Sequence, residues 1–212
     1  MYSQFFFDFD STLVRVETLD ELASDPVKRA EVERLTTASM NGDLSFTEVF
    51  PRKMAILAPS ERDLASLAKR CVDEWIVDGA REAISRIHAN GGEAWIITAN
   101  FHPLVDPVAT YLGIPVERVV ANNICFDEQG NYLRCVASAL MRDGGKAEAI
   151  RPYVRNKVGT VMVGDSVSDL ACETEVGLFV GFGGVVVRPA VQKAATYFVE
   201  QPNLLAVLDQ IA

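Results

Sequence analysis

The stretch Phe5-Phe6-Phe7-Asp8-Phe9-Asp10-Ser11-Thr12 (residues 5–12, FFFDFDST) runs an apolar segment directly into two aspartates placed two residues apart. The three phenylalanines read as a buried strand. Successive strand side chains alternate sides, so Asp8 and Asp10 point the same way from the strand's end. Carboxylates crowded on one side need a shared proton or a cation. The stretch therefore predicts a core strand with a charged site at its carboxyl end.

Working outward, the first strand spans residues 3–8. From about Val14 to Trp75 apolar residues recur every three or four positions, as in TLDELA, VERL and LASLA, which predicts a helical insertion of roughly 60 residues without a strand. Asp78-Gly79 ends it. A helix over Ala80 to Ala89, closed by Asn90-Gly91-Gly92, leads into a strand AWIIT at 94–98. A second helix runs from about Pro103 to Leu112. NICF and YLRCV flank DEQGN as a hairpin with Gly130 in the turn. Gly144-Gly145-Lys146 opens another helix, and TVMVG (160–164) and GLFVGF (177–182) are further buried strands. Strands alternating with helices predict an α/β fold, a parallel sheet covered on both faces. Ligands in such sheets bind at the carboxyl ends of the strands, near a topological switch point.

Composition narrows the function classes. The 212 residues are 49% hydrophobic and 23% charged, enough to bury a globular core. With 29 acidic and 20 basic residues the net charge is −9, which argues against nucleic acid or an anionic membrane as partner, since either calls for a basic face. An anionic substrate must then be met by a local cation. No segment approaches the roughly 18 unbroken apolar residues of a membrane span. The first apolar run has no basic stretch before it and is interrupted by Asp8, so no secretory signal is expected. Cys71, Cys125, Cys135 and Cys172 lack metal-site or redox spacing and read as thiols of a reduced, cytoplasmic protein.

Polar residues follow each apolar strand. Asp8, Asp10 and Thr12 follow the first, Thr98 the second, and Gly164, Asp165 and Asp169 the TVMV strand, while Lys146 stands at a helix start. One such residue is ordinarily a helix cap. Two acidic clusters, a hydroxyl and a lysine at one sheet edge point instead to a site. A hard cation such as Mg²⁺ takes oxygen ligands and keeps places for phosphate oxygens. With it bound, Asp8 can attack phosphorus and form an aspartyl-phosphate. Asp10 can protonate the leaving alcohol and then deprotonate water. Thr98 and Lys146 can hold the phosphoryl oxygens, whose positioning dominates such catalysis.

DFDST, the threonine of IITAN, Lys146 and GDSVSD resemble, in order, the four motifs of the haloacid dehalogenase superfamily. The resemblance implies a Rossmann-like parallel-sheet core, a Mg²⁺ cofactor and a phosphoaspartate intermediate. It makes Asp8 the nucleophile, Asp10 the general acid/base with its backbone carbonyl on the metal, Asp165 a metal ligand and Asp169 a support of the metal shell. It also implies a helical cap at 14–75, inserted in a core of 1–13 and 76–212. DFDSTLVRVETLDELA, MNGDLSF, ANNICF, GGKAEAI and GFGGVVVRPAVQKAATYF are further similar to the phosphoserine phosphatase family. That resemblance places Glu17 at the substrate's ammonium, Met40, Gly42 and Phe46 in or near the pocket, and Lys53, with Arg52 beside it, at the substrate carboxylate. It implies a phosphomonoester hydrolase of serine biosynthesis, acting on a small phosphorylated metabolite; as an assembly it admits a homodimer.

Two positions depart from the family pattern. Thr98-Ala99-Asn100 replaces Ser-Gly-Gly, so Asn100 adds a side chain where backbone N–H groups approach phosphate. Lys53 replaces an arginine, exchanging a two-pronged contact for a point charge. A phosphotransferase that hands the group from Asp8 to another alcohol shares these residues. A signalling receiver domain shares an acidic cluster, a Ser/Thr and a lysine, but not Asp10, the second acidic cluster or the insertion.

Overall fold

The computed structural model describes residues 2–211. The chain begins with β1 (Gln4–Phe7), followed by three helices, α1 (Pro26–Met40), α2 (Phe46–Leu57) and α3 (Glu61–Arg70). Then come α4 (Ala80–Ala89), β2 (Glu93–Phe101), α5 (His102–Leu112), β3 (Val119–Asn122), β4 (Ile124–Phe126) and β5 (Tyr132–Cys135). The remainder is α6 (Gly145–Ile150), β6 (Thr160–Gly164), α7 (Val167–Leu170), β7 (Leu178–Phe182), α8 (Pro189–Ala194), β8 (Tyr197–Val199) and α9 (Leu205–Gln210).

Six strands form one sheet in the order β3-β2-β1-β6-β7-β8, with every neighbouring pair parallel. The chain adds β2 and β3 on one side of β1, then returns to add β6, β7 and β8 on the other. Winding reverses at β1, so Asp8 emerges at the topological switch point, where such sheets bind ligands. Alternation along β1 feeds two cores. Phe5 and Phe7 pack with residues of α4, α5 and α9, whereas Phe6 packs with Ala147 and Ile150 of α6 and with Val191 of α8. Each buried ring contributes about 1.5–3 kcal/mol. The FFF run is thus apolar throughout because both faces of the strand are covered.

The segment carrying α1, α2 and α3 leaves and rejoins the sheet domain at one place. Val14 bridges Ile76, the Arg15 N–H donates to Trp75 O at 2.8 Å, and the Val77 N–H donates to Leu13 O at 3.0 Å. Local sequence explains the helix starts. Asp25 caps α1 by accepting from the Val27 and Lys28 N–H groups, with Pro26 as the first helical residue. Ser60 and Asp63 form a capping box at α3.

Three details differ from the sequence expectation. β3 and β8 form the sheet edges, where strands are short and only partly apolar, so neither carries a clear apolar run. β2 continues past Thr98 to Phe101. The expected hairpin is present as β4 and β5, with a register shift between Cys125 and Phe126 as the third difference, and the four cysteines are free thiols as expected. Among the described residues no helix is long and apolar enough to cross a membrane.

Candidate active site

β1 ends in a loop that holds Asp8 and Asp10 on one side and buries Phe9 completely on the other. Asp8 Oδ1 accepts from the Phe9 N–H at 2.7 Å and lies 2.6 Å from Lys146 Nζ. Lys146 Nζ also donates to Asp169 Oδ1 at 2.6 Å. Asp169 Oδ2 accepts in turn from the Ser166 N–H at 3.0 Å and the Ser166 hydroxyl at 2.7 Å. One carboxylate oxygen from each of Asp8, Asp165 and Asp169 lies within 4.8 Å of the others, and all three residues are buried. Two glycines make room. A Cβ on Gly164 would sit 2.3 Å from Asp169 Cγ, and one on Gly145 would sit 1.8 Å from Ala139 O.

Burial dominates the electrostatics. Desolvation, reinforced by Asp169, raises the Asp8 carboxyl well above its usual range despite Lys146. Desolvation and Glu17 raise Asp165 to about 7, with Arg188 opposing them. Burial works against the Lys146 ammonium, but Asp169 and Asp8 outweigh it and keep that group protonated. Three oxygen-bearing groups out of water, opposed directly by Lys146 and Arg188, make a donor set that fits a hard divalent cation.

Asp10 stands apart from this trio. Its Oδ1 accepts from the Thr18 N–H at 3.2 Å and hydroxyl at 2.8 Å, and its Oδ2 from Asn100 Nδ2 at 3.1 Å. Desolvation, then Glu17, raise its carboxyl to about 8, so it holds a proton at neutral pH. Asn100 also donates from Nδ2 to the Thr18 hydroxyl at 2.7 Å, and its N–H donates to Thr98 Oγ1 at 3.1 Å. The side chain found where the family has glycine thus braces the proposed proton donor.

A pocket opens above these groups. Asp8, Asp10, Thr98, Ala99, Asn100 and Lys146 line its floor. Glu17, Leu19, Met40, Phe46, Phe50, Lys53 and Met54 line it from the segment after β1, and Leu140, Arg142 and Ser168 from beside Lys146. Sequence reasoning missed Leu19 and Ser168, which lie inside quoted motifs without being singled out, and Phe50, Met54, Leu140 and Arg142, which lie in none. Glu17 Oε1 accepts from the Ser11 hydroxyl at 2.8 Å and from Arg188 Nη2 at 3.3 Å. Arg188, whose Nε donates to Asp165 Oδ2 at 2.7 Å, links the acidic cluster to the pocket wall. In the sequence Arg188 reads equally as a helix cap or as a residue leaning toward the site, and only the fold brings it to Asp165, 23 residues away.

Of the expected substrate residues, Arg52 falls elsewhere and Gly42 lies beside the lining, not in it. Arg52 is exposed, pairs with Glu31 at 3.2 Å and does not line the pocket, because one step along α2 turns it away from the Lys53 face. Gly42, just after α1, is also outside the lining; a Cβ there would face Val167 methyl groups at 3.6 Å and beyond. Lys53 does line the pocket, yet its buried ammonium donates to Asp20 Oδ1 at 2.8 Å and Thr36 Oγ1 at 2.6 Å. His102 lies outside the lining and meets Asp106 at 2.9 Å at the start of α5.

Comparison with known proteins agrees with this geometry. The family model of the haloacid dehalogenase-like hydrolases matches residues 5–172. The phosphoserine phosphatase of Drosophila melanogaster is 34% identical over 197 residues, 91% of this chain and 73% of its own. That of Mus musculus is 30% identical over 197 residues, 91% of this chain and 87% of its own. A structure described as a phospho-aspartyl intermediate analogue of phosphoserine phosphatase matches with TM-score 0.86 and 25% identity, over 100% of this chain and 99% of that one. A phosphoserine phosphohydrolase-like protein from Francisella tularensis subsp. tularensis SCHU S4 shares the fold at TM-score 0.90 and 22% identity, with 100% of both chains covered. The chain therefore belongs to the haloacid dehalogenase-like hydrolases, within the phosphoserine phosphatase family.

Proposed function

We propose that the protein is a Mg²⁺-dependent phosphomonoesterase that hydrolyses phosphoserine to serine and phosphate through a phosphoryl group carried on Asp8. The observation that carries this reading is the joining of Asp8, Lys146 and Asp169 by 2.6 Å contacts at the switch point, with Asp10 beside them, its carboxyl raised to about 8 by burial and Glu17. The named activity of the relatives supports the choice of substrate.

Asp8 attacks phosphorus as a carboxylate, and the bond from phosphorus to the serine oxygen breaks. Asp10, protonated at neutral pH, gives its proton to the leaving alkoxide. It then takes a proton from the water that attacks the phosphorylated Asp8, which releases phosphate and restores both residues. Lys146 and the Thr98 hydroxyl hold phosphoryl oxygens during both steps. Asp8, Asp165 and the Asp10 carbonyl would hold Mg²⁺, with Asp169 as support. When bound, the ion supplies positive charge that offsets repulsion between the ester and the carboxylates.

Residues 14–75 form, in this reading, a cap over a core of 1–13 and 76–212. Glu17 answers the substrate ammonium from the cap. Lys53 answers the carboxylate with the third of its N–H donors, two being held by Asp20 and Thr36. A turnover screen with Mg²⁺ over phosphoserine, phosphothreonine and several sugar phosphates tests the assignment. Phosphoserine is expected to give the highest kcat/KM; preference for a sugar phosphate would overturn it.

A further inference from the structure

The stretch Arg142-Asp143-Gly144-Gly145-Lys146 opens α6, and its last residue belongs to the site. Asp143 reaches the other way, to the start of α2. Its Oδ1 accepts from the Phe46 N–H at 2.8 Å, and its Oδ2 accepts from the Ser45 hydroxyl at 2.5 Å and the Thr47 hydroxyl at 2.9 Å. Its own N–H donates to Thr47 Oγ1 at 3.1 Å. Ser45 occupies the N-cap position of α2 but makes no capping bond with its side chain. The cap comes instead from a residue 97 positions from Phe46.

A helix start leaves N–H groups without partners and carries partial positive charge, so an ionised carboxylate there is favoured twice. The Ser45 hydroxyl foremost, then Phe46 and Thr47, hold the Asp143 carboxyl down to about 2 although partial desolvation opposes them. The group is therefore charged at any working pH. These contacts lie at the exposed rim, so water can replace each bond when the two parts separate. Both ends of the link reach the pocket. α2 supplies Phe46, Phe50, Lys53 and Met54 to its wall, and Lys146 lies three residues after Asp143. The intervening Gly145 packs against Ala139 O so tightly that even a methyl group would clash, which ties the loop to the core.

We propose that Asp143 is a positioning residue: by capping α2 from the core it latches the helical segment onto the loop that carries Lys146. Closure of the pocket and placement of the phosphate-holding lysine are then a single event. The inference rests on the reading of residues 14–75 as a cap.

The test is backbone amide exchange together with turnover, in wild type and in Asp143→Ala. Exchange at residues 46–57 is expected to quicken about tenfold, as loss of a helix cap implies, while β1 and β6 keep their protection. The kcat/KM for phosphoserine and for an aryl phosphate is expected to fall by a similar factor, roughly ten- to a hundredfold, because closure serves both. Asp143→Asn, which retains one acceptor oxygen, is expected to recover part of each effect. The double variant Ser45→Ala/Thr47→Val is expected to reproduce the exchange pattern from the α2 side, and it serves if Asp143→Ala does not fold. Exchange is read without substrate, so an error in the phosphoserine assignment would be exposed separately by wild-type turnover. Unchanged exchange at 46–57, or equal quickening in β1 and β6, would overturn the proposal.

Discussion

At Asp8, Asp165 and Asp169 the chain holds three carboxylates out of water, with Lys146 and Arg188 as their direct counter-charges. This arrangement makes stability depend on pH and metal together. The folded-state values of Asp8 and Asp165 are raised, Asp165 to about 7. A raised carboxyl contributes stability that is complete below its unfolded value, about 3.9, and is lost as pH rises through the folded one. Metal-free protein is therefore expected to lose thermal stability between pH 5 and pH 8. Mg²⁺ favours the charged forms, so the gain in Tm on adding it is expected to widen across that window. A gain that does not change with pH would place the cation elsewhere. Asp8, Asp10, Asp165 and Asp169 were legible in the sequence because short spacing after apolar strands announces them. Asn100 was legible as a position at the site but not as the brace of Asp10, and the part played by Arg188 was not legible. Arg188 becomes meaningful only through the distant Asp165 and Glu17, and Asn100 through Asp10 and Thr18.

Among the elements, α2 separates two neighbours that sequence placed together. Arg52 turns to solvent and Lys53 turns inward, a consequence of the 100° step per residue. Lys53 is the cation opposite the buried Asp20, so Lys53→Ala should leave that carboxylate uncompensated and cost about 3–5 kcal/mol. Thermal unfolding measures this, and Asp20→Asn in the same chain should recover much of it; no recovery would show that packing, not charge, is lost. The turn that starts at Thr18 carries Glu17 to the pocket wall. Glu17→Gln should lower kcat/KM for phosphoserine by roughly ten- to a thousandfold and barely touch an aryl phosphate, which has no ammonium. Equal losses on both substrates would make Glu17 a partner of Arg188 only. The main strands and α4 were legible from apolar runs and helical periodicity. β3 and β8 escaped because edge strands need few buried residues.

Over the whole molecule, parallel topology converts four scattered motifs into one site. β1, β2 and β6 lie side by side, so residues far apart in sequence meet at their carboxyl ends. That much follows from strands alternating with helices. What joins the segment after β1 to the rest, including the Asp143 contact with α2 and the packing of Phe50 on Phe101 at 6.2 Å, has no sequence period and becomes visible only in three dimensions. The central claim is that the phosphoryl group passes through Asp8. It is tested most directly by acid quench during turnover of ³²P-labelled phosphoserine with Mg²⁺, followed by mapping of the protein-bound label. Wild type is the host, and Asp10→Asn is quenched beside it with an aryl phosphate, whose good leaving group forms the acyl phosphate without the acid while loss of the base slows its hydrolysis by about 10²–10⁴-fold. The expected result is an acyl phosphate on the peptide containing Asp8, absent from Asp8→Asn, which should also be inactive. Turnover of phosphoserine with no label on that peptide, or undiminished activity in Asp8→Asn, would contradict the account.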